Sequence, residues 1–213
     1  MSENKIKLVL GRHIQNNIKF YFASMLCLSI GIIIGIYSVR YMGTFEKSDL
    51  TSYLSNFSTA LTSQSVDYKS IFLETLKNNI PLIFAIWFLG LTLVGLPVIL
   101  MLNLFKGFTL GFSISFIISQ MGMRGLWITL AGIIPQNIIY IPAIVISSVI
   151  AMEFSTAVFR NRAQRNRASN IWINLTSYSF AFLIPSSFMF FGFFLESYLT
   201  PNIVKLIVAN IGG

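Results

Sequence analysis

The sequence predicts an all-α integral membrane protein with five transmembrane helices, and two observations support this prediction. First, 55% of the 213 residues are hydrophobic and only 10% are charged, whereas about 25% of residues are charged in soluble globular domains. Second, the apolar residues form runs long enough to cross the hydrocarbon core of a bilayer, which takes about 20 helical residues. This composition leaves little sequence for a soluble domain, so we predict a single membrane domain over residues 1–213.

The five predicted spans are joined by short connections, except for one longer polar segment. The spans cover residues 20–41, 80–104, 105–120, 126–152 and 171–195, with a tight turn at 103–106 between the second and third. Residues 42–79 form an outer loop, and residues 153–170 form a basic inner loop. The apolar segment 201–213 is too short to cross a membrane, so we expect a short surface helix that begins near Pro201.

The basic residues predict the orientation, because cytoplasmic loops near span ends carry an excess of lysine and arginine. With a cytoplasmic N-terminus, the inner side collects nine of the fifteen basic residues: Lys5, Lys7, Arg12, Lys19, Lys106, Arg160, Arg162, Arg165 and Arg167. We therefore place the N-terminus in the cytoplasm and the C-terminus outside. We interpret the basic inner loop as a contact with anionic membrane lipid rather than with nucleic acid.

The predicted spans lack the residues that membrane enzymes and ion transporters use. Residues 80–105 contain no ionisable group, no aspartate lies within a predicted span, and the single histidine, His13, is cytoplasmic. Ion transporters place ionisable groups inside the bundle, and hydrolases need a nucleophile beside a base. The single cysteine, Cys27, excludes a disulfide framework and a cysteine-based metal site. We expect no enzyme activity, no metal and no cofactor.

Small residues recur every four positions on one face of several predicted spans. Gly31 and Gly35 follow Cys27 in the first span, and Gly107 and Gly111 begin a similar series in the third. Such series allow two helix backbones to approach closely in a membrane. We expect these glycines to be helix-packing positions, either within one chain or between two copies in a homodimer.

The outer loop contains a predicted amphipathic helix. After the capping residues Ser48 and Asp49, apolar residues recur at helical spacing. They include Tyr53, Leu54, Phe57 and Leu61. This apolar stripe either rests on the membrane or the bundle, or it docks an extracytoplasmic partner.

The fourth predicted span contains a polar interruption, in which Pro135, Gln136 and Asn137 are followed by Pro142. Each proline removes a backbone donor, and the freed carbonyl groups need protein donors because lipid offers none. We expect Gln136 and Asn137 to face the bundle and stabilise a kinked helix beside Gly95–Pro97 of the second span. The alternative is a small-molecule transporter or channel with a site between these two interrupted helices.

Three motifs together resemble the stage II sporulation protein M family. They are FLGLTLVGLP (Phe88–Pro97), FKGFTLGF (Phe105–Phe112) and GIIPQNIIYIPA (Gly132–Ala143). The resemblance implies a five-span protein that acts in engulfment, when the mother-cell membrane migrates around the forespore. It also implies a scaffold for stage II sporulation proteins D and P, which degrade peptidoglycan, and a location in the mother-cell or engulfing septal membrane.

Overall fold

The computed structural model describes residues 11–52, 67–92, 94–163 and 171–210, and these residues form helices joined by turns, without strands. The first three spans are α1 (Ile18–Arg40), α2 (Tyr68–Gly90) and α3 (Gly95–Met121). Residues 11–16 and 44–52 are also helical.

The fourth and fifth spans each consist of two α-helices joined by a π-helical turn. The fourth contains α4 (Met123–Ile128), π1 (Thr129–Ile133) and α5 (Ile134–Ala163). The fifth contains α6 (Ile171–Phe194), π2 (Leu195–Leu199) and α7 (Thr200–Asn210). Five helical segments are long and apolar enough to cross a membrane, so the predicted all-α bundle of five spans is confirmed.

The second and third spans have different bounds from those predicted. The predicted turn at 103–106 lies in the middle of α3, and the chain turns instead between Gly90 and Gly95, with turn residues at 91, 92 and 94. Backbone hydrogen bonds close this turn, from Leu91 to Phe88, from Thr92 to Leu89 and from Gly95 to Thr92. Residues 80–120 are mainly apolar throughout, so hydrophobicity alone did not indicate the position of the turn between the second and third spans.

The first half of α2 was assigned to the outer loop, but the structure shows that α2 begins at Tyr68. Asp67 caps the helix, because its Oδ1 accepts hydrogen bonds from the backbone N–H groups of Lys69 and Ser70 at 3.1 and 3.3 Å. The Ser70 hydroxyl donates to the other carboxylate oxygen at 2.7 Å. These hydrogen bonds from Ser70 and Lys69 stabilise the ionised carboxylate and lower the pKa of Asp67.

The two ends of the bundle are named by the predicted orientation. The inner end carries the N-terminal residues 11–17 and the turn between Gly90 and Gly95, and the outer end carries residues 44–52 and α7. The segment predicted as a separate surface helix, 201–213, is instead continuous with the fifth span through residue 210. Its Val204 is buried against Ile128 of α4, so α7 packs onto the outer end of the bundle.

A glycine seam joins α1 to α3. It consists of Gly31 and Gly35 on α1 and Gly107 and Gly111 on α3. A Cβ atom on Gly31 would overlap the Leu104 carbonyl oxygen, and one on Gly107 would overlap the Leu28 carbonyl oxygen. The backbones therefore approach as closely as they do only because these positions lack side chains. Since the seam is occupied within the chain, a homodimer would need another surface.

The buried side-chain amide of Asn103 links three spans near this seam. Asn103 of α3 is fully buried. Its Nδ2 donates to the Ser24 hydroxyl of α1 at 3.1 Å, and its Oδ1 accepts from the Ser148 hydroxyl of α5 at 2.9 Å. The amide thus has partners on both sides, as the absence of water in a bilayer requires.

The glycine seam predicts that two glycine-to-alanine substitutions differ clearly in their effect on the stability of the folded protein. Gly107→Ala should destabilise the folded protein by about 1–3 kcal/mol, because the added methyl group meets backbone that cannot move aside. Thermal unfolding in detergent measures this change. Gly11→Ala is the matched control, because a Cβ at Gly11 would meet nothing within 4 Å. An equal loss of stability in the two variants would contradict close backbone packing at the seam.

The orientation is tested by labelling single cysteines in a Cys27→Ser background. Ser48→Cys lies at the outer end, and Arg160→Cys lies at the inner end of α5; both native side chains are exposed. A membrane-impermeant maleimide should label Ser48→Cys in intact cells and label Arg160→Cys only after the membrane is opened. The reverse pattern would show that the orientation is wrong.

Candidate functional site

Two π-helical turns lie at matching positions before two prolines. In π1 the Ile134 N–H donates to the Thr129 carbonyl, and π1 ends two residues before Pro135. In π2 the Thr200 N–H donates to the Leu195 carbonyl, and π2 ends two residues before Pro201. A proline ring clashes with the carbonyl four residues earlier, and a widened turn is a recognised way to accommodate such a break. The two turns contact each other, so the fourth and fifth spans are irregular at the same level.

Gln136 and Asn137 form different hydrogen bonds within the bundle. The Asn137 Nδ2 donates to the carbonyl of Ile133 in its own span at 2.8 Å. The Gln136 Oε1 accepts from the Thr200 hydroxyl of the fifth span at 3.2 Å, and the same hydroxyl lies 3.2 Å from the Gly132 carbonyl oxygen. Gln136 therefore connects the fourth span to the fifth, whereas Asn137 satisfies a carbonyl group within the fourth span.

The expected contact between this interruption and Gly95–Pro97 is wrong. Gly95 lies at the inner end, where a Cβ would lie 3.0 Å from the Ser155 hydroxyl oxygen. Along the fourth span, Ser155 is about 28 Å from Gln136 at 1.5 Å per helical residue. The error follows from placing the second span too late in the sequence. The two interruptions thus lie far apart and do not form one site.

The prolines have unequal effects on their helices. Pro97 lies in the first turn of α3, where backbone N–H groups lack helical partners in any case, so its missing donor is not a loss. Pro142 lies inside α5, which continues past it as an α-helix. Only Pro135 of the predicted kink residues is associated with a widened turn.

A charged network, absent from the sequence-based prediction, lies inside the bundle. Its members are Asn79 of α2, Lys106 of α3, Tyr140 of α5 and Glu196 of π2. The Tyr140 hydroxyl donates to the Glu196 Oε2 at 2.7 Å. The Lys106 Nζ lies 5.6 Å from the centre of the Tyr140 ring and donates to the Asn79 Oδ1 at 3.4 Å. Four spans therefore meet at one set of polar side chains.

The surroundings of Tyr140 fix its position. Its side chain is buried, with 3% exposure, and its ring packs at 5.7 Å from the ring of Phe193. A Cβ on Gly192 would overlap the Tyr140 ring, so this glycine creates the space that the ring fills. Charged groups inside a membrane are costly unless protein groups pair with them. Tyr140 supplies a hydroxyl to the Glu196 carboxyl group and a ring face to the Lys106 amine, so it joins the two ionisable side chains.

Sequence reasoning missed this network because Lys106 was placed in a tight turn at the inner end of the third span and Glu196 at the outer end of the fifth. A usable signal was present: Asn103, Gly107 and Gly111 are spaced by four residues, and all three are buried in α3. This periodicity continues through the predicted turn and indicates an uninterrupted helix. A lysine inside that helix then points to an intramembrane partner.

An aromatic surface lies at the outer end beside the network. It consists of Tyr68 of α2 with Phe194, Tyr198 and Asn202 of the fifth span. The Tyr68 hydroxyl donates to the Asn202 Oδ1 at 2.8 Å, and the Tyr68 and Tyr198 rings stack at 5.3 Å. Tyr198 also stacks on Phe194 at 5.9 Å and is 46% exposed. Glu196 lies two residues before Tyr198 in the same span, so the network is adjacent in the chain to this cluster, which we call the outer aromatic surface.

The remaining predicted site residues lie elsewhere. The loop residues proposed for docking, Tyr53, Leu54, Phe57 and Leu61, lie outside the described residues. In the described ranges, no group of three or more His, Cys, Asp or Glu side chains is placed to hold a metal ion.

The charged network predicts energetic coupling between Tyr140 and Glu196. Tyr140→Phe keeps the ring but removes the hydroxyl donor, which should lower the free energy of unfolding by about 1–3 kcal/mol because an acceptor is left unpaired. In a double-mutant cycle with Glu196→Gln, thermal unfolding should give a coupling energy of about 0.5–3 kcal/mol.

Glu74→Gln is the matched control, since Glu74 is an exposed acid on α2. Its cycle with Tyr140→Phe should be additive within about 0.5 kcal/mol. Additive behaviour of the Tyr140 and Glu196 substitutions would show that the hydrogen bond contributes nothing to stability.

Comparison with known proteins agrees with the motifs and the fold. The model of the family described as stage II sporulation protein M matches residues 24–201, which is most of the chain. No curated protein and no solved structure gives a significant match. The family match includes all of the network residues and the widened turns, and it confirms the resemblance seen in the three motifs. This five-span, sporulation-related membrane protein therefore belongs to the stage II sporulation protein M family.

Proposed function

We propose that this protein is a non-enzymatic membrane scaffold that recruits extracytoplasmic peptidoglycan hydrolases during engulfment. Its proposed partners are stage II sporulation proteins D and P, and its proposed location is the mother-cell or engulfing septal membrane. Family membership supports the link to sporulation. The observation that carries the proposal further is the outer aromatic surface, which is built by two different spans next to the charged network.

The chemistry of this surface suits protein recognition. Tyrosine combines a large apolar ring with a polar hydroxyl, and tyrosines often dominate the binding energy of protein interfaces. Tyr68 and Tyr198 are already stacked on each other, and Asn202 holds the Tyr68 hydroxyl. A partner would therefore meet a preorganised surface, which reduces the entropy lost on binding.

The geometry of the two interrupted segments gives no support to the transporter alternative, which needs a site between them. The side-chain amides of Asn103, Gln136 and Asn137 all have partners within the chain. Moreover, the two interrupted segments of the transporter alternative, around Pro97 and Pro135, are about 28 Å apart rather than facing each other. The Asn103 and Gln136 amides hold different spans together, whereas Asn137 bonds within its own span.

The proposal is tested by Tyr198→Ser, which removes an exposed ring of the outer aromatic surface. Recovery of the two hydrolases by pull-down should fall about tenfold, equivalent to about 1.4 kcal/mol of binding free energy, while membrane abundance stays near normal. Tyr68→Phe keeps the stacked ring and should retain most of the recovery.

Tyr41→Ser is the control for general loss of an exposed tyrosine, because Tyr41 is 80% exposed and lies outside the aromatic surface. It should leave recovery unchanged. The double variant Tyr53→Ser and Phe57→Ser tests the outer loop in the same assay. Normal recovery with Tyr198→Ser at normal abundance would contradict docking at the aromatic surface.

A further inference from the structure

A pocket of about 470 Å³ opens between the outer ends of α1 and α3. Arg40 and Lys47 line it together with Tyr37, Ser115 and Ser119. This volume falls within the range of about 300–1,000 Å³ that is typical of small-molecule sites. The pocket does not include any residue of the charged network or the outer aromatic surface, so it is a separate feature.

The helical segment 44–52 contributes Lys47 to the pocket and contacts the end of α3. The Thr51 hydroxyl lies 3.0 Å from the Gln120 Oε1 at the end of α3, and it lies 2.6 Å from the Lys47 carbonyl oxygen of its own segment. These contacts place Lys47 over the end of α3. The pocket is thus formed by three connected segments rather than by a single exposed helix.

The two cations of the pocket lack acidic partners among the described residues. Within those residues, the ion pair closer than 4.0 Å is between His13 and Glu153 at the opposite end of the bundle. The neighbouring acid, Glu46, accepts a hydrogen bond from the Gly43 N–H at 2.8 Å and does not line the pocket. Among the described residues, neither of these two cations therefore has an acidic side chain within 4.0 Å.

This arrangement matches the chemistry of a phosphate group. The planar guanidinium of arginine binds phosphate oxygens with two parallel hydrogen bonds, and lysine adds a second positive charge. The serine hydroxyls lie at 3.5 and 2.9 Å from the carbonyl oxygens of Ile36 and Phe116. Since the serines donate to the backbone, recognition depends mainly on Arg40 and Lys47.

The position of the pocket favours a phosphate carried by a lipid. Arg40 is the last residue of α1, so it lies where a membrane-spanning helix reaches the headgroup layer. Ile36 and Tyr37 line the pocket one turn deeper and are 44% and 53% exposed, which provides an apolar surface for an acyl chain. A free phosphate ion would use the cations but would gain nothing from this apolar wall.

We propose that this pocket binds the phosphate group of an anionic membrane phospholipid, with Arg40 and Lys47 as its ligands. The bound lipid covers the lipid-facing side of the glycine seam at the outer end. The proposal does not depend on hydrolase recruitment, because the pocket and the outer aromatic surface share no residue.

The test uses the full chain purified in a neutral detergent, with phosphatidylglycerol, phosphatidylcholine and inorganic phosphate as probes. Phosphatidylglycerol should raise the thermal unfolding midpoint in a saturable way, and phosphatidylcholine should bind at least about tenfold more weakly. Tenfold corresponds to about 1.4 kcal/mol, which is in the range of one charge-assisted hydrogen bond. In the Arg40→Gln and Lys47→Gln double variant, the apparent affinity for phosphatidylglycerol should fall at least tenfold.

The matched control is the Arg124→Gln and Lys205→Gln double variant, which removes two exposed cations outside the pocket. It should keep the affinity of the unaltered protein within about twofold, in line with the small effect of isolated surface charges. If the pocket double variant folds poorly, Lys47→Gln alone gives the same comparison, with an expected loss of about threefold or more.

Three results would overturn the proposal. The first is an equal loss of affinity in the pocket and control variants, which would indicate general charge attraction. The second is equal stabilisation by phosphatidylglycerol and phosphatidylcholine. The third is binding of inorganic phosphate at the same concentration as the lipid, which would show that the apolar wall does not contribute and that the site recognises free phosphate.

Discussion

The hydrogen bond between Tyr140 and Glu196, with Lys106 over the same tyrosine ring, is the constraint on which the rest of the bundle depends. In water an acid and a base separated by a tyrosine would each be solvated, but hydrocarbon offers no such partners. The protein must therefore bring α3, α5 and π2 together at one level, and Asn79 adds α2 to the same point. The relative positions of four spans follow from this requirement.

The first span is held by a different kind of interaction. The glycine seam between α1 and α3 relies on close backbone contact, since lipid removes the hydrophobic driving force that would join helices in water. The buried Asn103 then links this pair to α5 through Ser24 and Ser148. Packing thus fixes α1 on α3, while polar pairing fixes α3 on the remaining spans.

The sequence was sufficient to predict the number of spans and the glycine positions, because both depend on local composition and spacing. The bounds of the second and third spans were not predicted, since the first half of α2 contains Glu74, Lys77 and Asn79 and so looks like a loop. That error moved Lys106 out of the membrane and hid the charged network. The network itself joins residues that are far apart in the sequence, and no local pattern indicates that they meet.

The two π-helical turns were also only partly predicted, because one of them depends on the bounds of the fifth span. Pro135 correctly indicated an irregular helix, but the matching role of Pro201 was hidden because residues 201–213 were treated as a separate surface helix. Because the fifth span continues through π2, Pro201 has the same position relative to its π-helical turn as Pro135 has in the fourth span. Their irregular turns lie against each other and bring Glu196 and Thr200 toward the fourth span.

The central claim is that the interior network positions the surface proposed for partner recruitment. Hydrogen–deuterium exchange of the backbone amides in π2 and α7, compared between the unaltered protein and Tyr140→Phe, tests this claim most directly. Loss of about 1.4 kcal/mol of local stability should accelerate exchange there about tenfold, with α1 and α3 unchanged along the glycine seam. Identical exchange of α7 in the two proteins would contradict the claim, because the outer surface would then be held without the network.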